Sequence, residues 1–255
     1  MTDENHKDAL ALRAEGWQPK NIARKLGLRP AEVEAFLRKA AAEMQADREA
    51  RGELPELLEC VTDEIGARWL LDGQRDGFDE SEEELQGLSH VFVTRLDRGK
   101  RLFVGFLVDY WCLGVKDTLP SRRVDLLEYS FTKTAMFSLY GGTRQISLEQ
   151  AQAIVYGAIE YARKLGFEPH PDTAEALTVL GPRPESLLPL EFGKNGRPMY
   201  LNGPDDDVDK VLATLNRAVG EGNYGLQVIE SDDDYLDDED GDEDGAIPIL
   251  FPRGR

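Results

Sequence analysis

The chain has 255 residues, 41% of them hydrophobic, a formal net charge of -19 and two cysteines. That is enough for one or two domains with real cores. No apolar run approaches the roughly 18 residues of a membrane helix, Cys60 and Cys112 cannot build a disulfide framework, and the charge argues against a general nucleic-acid coat.

The charge is unevenly spread. Residues 1–51 hold ten basic and nine acidic side chains, residues 52–229 hold 18 and 29, and residues 230–252 hold 11 acids and no base. This division predicts a near-neutral head, an acidic body and an acidic disordered tail over 230–255. The tail reads as a solubiliser, or as a polyanion that competes with nucleic acid for a basic surface or docks a basic partner. Ile247-Pro248-Ile249-Leu250-Phe251-Pro252 follows the acids and is apolar enough to dock. The polar, acidic start Met1-Thr2-Asp3-Glu4-Asn5 is unlike a secretory signal. With the cysteine count, it leads to an expected cytoplasmic setting.

The first 45 residues read as three short helices. Leu10, Ala14 and Trp17 share one face of the first, and Gly16 stops it. Pro19 opens the second, where its missing N–H costs nothing. Gly27-Leu28 makes a turn, and Arg29-Pro30 opens the third, which buries Val33, Phe36 and Leu37. Ala23, small enough to face a crossing helix, precedes Gly27 by four positions, and Ile22, Leu26, Leu28, Val33 and Phe36 fill the positions a two-helix corner must bury.

The stretch from Leu12 to Leu28 resembles the homeodomain-like helix-turn-helix of resolvases, transposases and many bacterial regulators, over about residues 6–45. The resemblance implies DNA as a partner through residues 18–39, with the third helix in the major groove. Its outward Arg29, Ala31, Glu32, Glu34, Ala35 and Arg38 form a poor base-reading surface, because phosphate repels Glu and alanine offers only a methyl. Lys20, Arg24, Lys25, Arg29, Arg38 and Lys39 are the candidate DNA contacts. A protein partner for the same corner is the alternative.

Ala40 to Arg51 continues as helix, and Leu54-Pro55 marks a boundary. Glu56 to Leu71 has helical spacing through Leu57, Val61, Ile65 and Trp69. Asp72 to Gly87 is an acidic insertion with only Arg75 opposing its carboxylates, read as an exposed loop or short solvent helix; it lacks the spacing of a calcium loop. His90–Leu96 and Arg101–Val108 form a hairpin, the second run extending through Tyr110, Trp111 and Cys112 to Val115 as a long bent strand. Ser147 and Gln150 make a capping box for a helix that ends at Gly166. Leu190–Phe192 and Met199–Leu201 flank a tight turn at Asn195-Gly196, Pro204-Asp205 caps a helix that ends at Gly220, and Tyr224–Ile229 is a last strand. Together these predict an α+β domain over 52–229 with a mostly antiparallel sheet, behind a small all-α head over 1–51. Residues 106–117, 158–170 and 192–204 resemble a bacterial protein family with no activity, cofactor or substrate attached to it, over about residues 54–229.

The residues of the body offer three chemical readings. Cys112 and His170 form the one possible nucleophilic dyad, against a buried inert thiol and a histidine that fixes a loop. Asp109, Lys116 and Asp117 would serve a magnesium nuclease, but the acid-x-lysine pair is missing. Gly193–Arg197 would cradle an anion, though it is no P-loop. The packing reading is preferred for each. No catalytic residue is therefore assigned, the cysteine and histidine spacings provide no zinc site, and no cofactor or membrane partner is expected.

Overall fold

The computed structural model describes residues 2–203 and 206–227. The chain divides into two compact units, Met1–Pro55 and Glu56–Arg255. The acidic block and the apolar segment after it lie outside the described residues, as do Pro204-Asp205 and the end of the last expected strand.

The first unit is three helices, α1 (Asp3–Ala14), α2 (Pro19–Leu26) and α3 (Pro30–Ala50). Thr2 caps α1 by accepting the Asn5 amide. Pro19 is the first residue of α2, and Gly27 ends it in the left-handed conformation (φ 66°). The Gly27 and Leu28 amides both donate to the Ala23 carbonyl, which closes the turn. Ala9, Leu12, Ile22, Ala23 and Val33 form the core, with Leu26, Leu28, Phe36 and Leu37 against it. The inward face of α1 differs from expectation: Leu10 and Trp17 are partly exposed, and Ala9 and Leu12 are buried instead. The chain turns at Gly16 (φ 89°), and Trp17 leaves the helical face, donating its amide to the Leu12 carbonyl while Lys25 sits over its ring.

The second unit is α+β. Its elements are β1 (Glu56–Asp63), α4 (Glu64–Leu70), α5 (Glu80–Leu85), β2 (Leu88–Asp97), β3 (Lys100–Asp109), β4 (Gly114–Val124), α6 (Leu126–Phe137), β5 (Thr143–Ile146), α7 (Leu148–Lys164), α8 (Thr173–Leu180), β6 (Met199–Leu201), α9 (Val208–Val219) and β7 (Gly225–Gln227). Five strands form an antiparallel sheet in the order β4-β3-β2-β1-β5. The short β6 and β7 pair in parallel apart from it.

Central β2 is buried on both faces, with every residue but Leu96 inaccessible. Alternation sends His90, Phe92 and Thr94 to one side, where they meet Phe137, Tyr140 and Tyr129 of α6 and the turn after it. Arg95 points the other way and donates to the Val179 carbonyl at the end of α8. That places a cation on carbonyls a helix end leaves unpaired. Helix α7 starts at the expected capping box, Ser147 with Gln150.

Three expectations about strands fail. Glu56–Asp63 is a strand, although Leu57 and Val61 keep helical spacing, because β1 hydrogen-bonds β2 on one side and β5 on the other; tertiary pairing overrides periodicity. Helix begins only at Glu64, where Asp63 accepts the Gly66 amide as N-cap. The run from Arg101 to Val115 is not one bent strand. It breaks at Asp109, whose Oδ1 accepts the amides of Trp111 and Cys112 at 2.9 and 2.8 Å, and Gly114 (φ 75°) starts β4. Likewise Leu190–Phe192 is not in a strand: the Asn195-Gly196 turn has the expected positive φ (55° and 74°), but only a Lys194–Arg197 bridge forms around it. The helix after Pro204-Asp205 is capped by Asp207.

Candidate nucleic-acid interface

The candidate contacts in the head come from α2, the turn after it and the first half of α3. Lys20, Arg24, Lys25, Arg29, Arg38 and Lys39 are all exposed. Ile22 and Ala23 on the opposite side of α2 are fully buried, so the apolar face that fixes the corner turns the basic face outward. Residues 18–39 carry six bases against Glu32 and Glu34. Most acids of the head lie elsewhere, near the start of α1 and the end of α3.

These cations are not equivalent. Glu32 binds Arg29 at 2.5 Å across the first turn of α3, which holds the Glu32 carboxyl below its usual range and raises the Arg29 guanidinium. Lys39 lies 3.7 Å from Glu43. Arg24 donates to the Asn21 side chain, and Lys25 covers the Trp17 ring at 4.5 Å. Lys20, Arg24, Lys25 and Arg38 make no ion pair among the described residues. Glu34, Ala31 and Ala35 share the exposed side of α3, a face with one acid and two methyls and few groups that could hydrogen-bond a base edge.

In the body, the nucleophile reading loses its geometry. Cys112 is fully buried in a cluster with Leu165, Tyr200 and Leu215, and burial pushes its thiol far up. His170 sits on the loop before α8, accepting the Asp172 amide at Nδ1 while Nε2 faces Asp117 Oδ1 at 3.9 Å. One ring nitrogen thus serves its own loop and the other faces strand β4.

Asp109, Lys116 and Asp117 do not converge either. Asp109 is the buried cap just described, its carboxyl pushed up to about 6 by burial despite the nearby Lys116. Lys116 turns to Asp206 Oδ2 at 2.7 Å, and Asp117 Oδ1 accepts the Thr118 amide. No cluster of three or more His, Cys, Asp or Glu suited to a metal ion occurs among the described residues. The turn at Gly193–Arg197 is packed onto the core: the Gly193 amide donates to the Tyr110 carbonyl, and Lys194 stacks over Trp111 at 4.4 Å.

The acidic insertion is tied down by a residue the sequence reading overlooked. Arg68 of α4 donates to Glu82 Oε1, the Gly77 carbonyl and Gln74, and lies over Phe78. A second feature, invisible without strand register, is a basic corner. Pairing of β3 with β4 places Arg101 opposite Val124, Leu102 opposite Arg123 and Phe103 opposite Arg122, beside the Arg98-Gly99 turn and Lys100.

No protein-family model, curated protein or solved structure matches the chain. No described helix is long and apolar enough to cross a membrane.

Proposed function

We propose that the head is a helix-turn-helix that docks on DNA and that the protein acts as a regulator, with the α+β body binding a partner or ligand. The observation that carries this reading is the outward basic face of α2 and α3, held by a corner whose apolar side is filled. Lys20, Arg24, Lys25 and Arg38 grip phosphates, Lys39 adds a weaker contact, and Arg29 contributes only when released from Glu32. Grip without much base reading predicts modest sequence preference and strong salt dependence. A mobility-shift assay with the full chain and mixed genomic fragments at low salt tests it. Retarded complexes that vanish when Lys20, Arg24 and Arg38 are replaced by alanine support the proposal; no retardation at low salt ends it.

A protein partner for the same corner is the second reading, favoured by Glu32, Glu34 and the small Ala31 and Ala35 on the exposed side of α3. It gains ground if the purified protein ignores DNA but retains a partner through nuclease treatment and loses it on Glu34→Lys.

A further inference from the structure

We infer that the outer face of α6 and the basic corner beside it form one docking surface, and that its occupant is the chain's own segment 230–252. Leu127, Phe131, Ala135 and Leu139 recur every four residues, so they lie on one side of α6 and its extension. Leu127 is 81% and Phe131 76% exposed, and Leu126 and Leu139 are also open, whereas Tyr129, Met136 and Phe137 of the same helix are buried. A bare apolar stripe of this kind marks a contact surface.

The stripe starts beside positive charge. Arg98, Lys100, Arg101, Arg122 and Arg123 lie at one end of β2, β3 and β4, and α6 follows β4 directly. Arg101 and Arg122 are on the face where Phe103 meets Tyr129 of α6, and Lys100 and Arg123 are on the other. Three of the acids there are engaged, since Asp97 is buried against Arg123, Glu128 pairs with Arg122 and Asp125 caps α6, while Glu56 is exposed opposite Leu96. Lys100 and Arg101 have no acidic partner among the described residues. The end of the sheet next to α6 thus sets cations beside an apolar stripe.

The segment has the same two parts in matching order. Eleven acids end at Asp244, and Ile247-Pro248-Ile249-Leu250-Phe251-Pro252 follows. With the acids on the corner, the apolar part runs along α6 toward Leu139. Reach is no obstacle: about 20 residues separate Gln227 from Ile247, up to roughly 65 Å when extended, against a diameter of about 40 Å for a body of this size. The head also presents cations, but among its described residues no apolar side chain is as open as Leu127 or Phe131. This inference does not depend on DNA binding.

Paramagnetic relaxation tests it in the full chain. Both native thiols are buried, so Gly245→Cys carries a spin label selectively. At low salt, the amide signals of Leu127, Phe131, Ala135 and Leu139 should lose more than about half their intensity. Phe131→Glu, at a position too exposed to disturb folding, should restore them, and about 0.5 M salt should weaken the effect. Three results would each overturn the inference: unchanged α6 signals at low salt, broadening confined to the head, or broadening only between separately labelled molecules, which would make a second copy the occupant.

Discussion

Glu32 binds Arg29 at 2.5 Å across the first turn of α3, with both side chains open to solvent. An acid thus neutralises a cation on the surface proposed to meet phosphate. Glu32→Gln should free Arg29 and remove a repulsive carboxylate. DNA affinity is expected to rise about threefold to tenfold at low salt, with a salt slope steeper by about one counterion. Fluorescence anisotropy over a salt series measures both; an unchanged slope would place Arg29 away from the phosphates.

Two glycines with similar backbone conformation should respond differently to alanine. At Gly27 (φ 66°) an added Cβ meets nothing within 4 Å, whereas at Gly114 (φ 75°) it would lie 2.7 Å from the Ala162 Cβ and 2.9 Å from the Ala158 carbonyl oxygen. Gly27→Ala therefore costs about 1–2 kcal/mol for left-handed strain alone. Gly114→Ala adds a clash of β4 with α7, for about 3 kcal/mol or more. Hydrogen exchange resolved by unit should show the first loss in the head and the second in the body. Equal losses would contradict the packing described at Gly114.

Stability against pH should carry a recognisable sign. Asp63 and Asp109 are fully buried and their carboxyls are pushed up to about 6 by desolvation, while burial lowers the His90 imidazole to about 3. A raised carboxyl makes the folded state bind protons more tightly. Its contribution is present below the unfolded value near 4 and is lost as pH rises to about 6, roughly 2–3 kcal/mol per group. His90 opposes this, since the unfolded imidazole takes up a proton that the folded one refuses, so its effect on stability grows with pH from about 3 to 6.5. Asp109→Asn keeps an acceptor for the Trp111 and Cys112 amides and removes one carboxyl. The difference between wild type and variant, from chemical denaturation at several pH values, should change between about pH 4 and 6 and be flat above 7. A flat difference throughout would refute the buried-charge account of Asp109.

Thiol chemistry checks the discarded nucleophile. Cys60 and Cys112 are buried, and burial pushes the Cys60 thiol up to about 11 and that of Cys112 higher still. A disulfide reagent at pH 8 should therefore find no fast thiol in the native protein and two in denaturant. A thiol reacting within seconds would reopen catalysis at Cys112.

Elements set by local chemistry were legible in the residues. Pro19, Gly27 and the Ser147–Gln150 box place α2, its turn and the start of α7, because each acts through its own backbone. The hairpin at Arg98-Gly99 was equally visible. What escaped depends on partners far along the chain. Leu57 and Val61 suit a helix, and only pairing with β2 and β5 makes them a strand. Short, polar β5 and Pro120-interrupted β4 have no clear alternation and become strands only by pairing with β1 and β3. The same holds for function: the six cations of the head are close in sequence and could be named, while Arg101 and Arg122 become neighbours only through the β3–β4 register.

The salt dependence of DNA binding by the full chain tests the central claim most directly. If Lys20, Arg24, Lys25 and Arg38 hold phosphates, the logarithm of the binding constant should fall linearly with the logarithm of salt, with a slope of about -3 to -4. Replacing Lys20 and Arg38 by alanine should bring the slope near -2. Binding with no salt dependence, or a slope the double substitution leaves unchanged, would contradict the proposed interface.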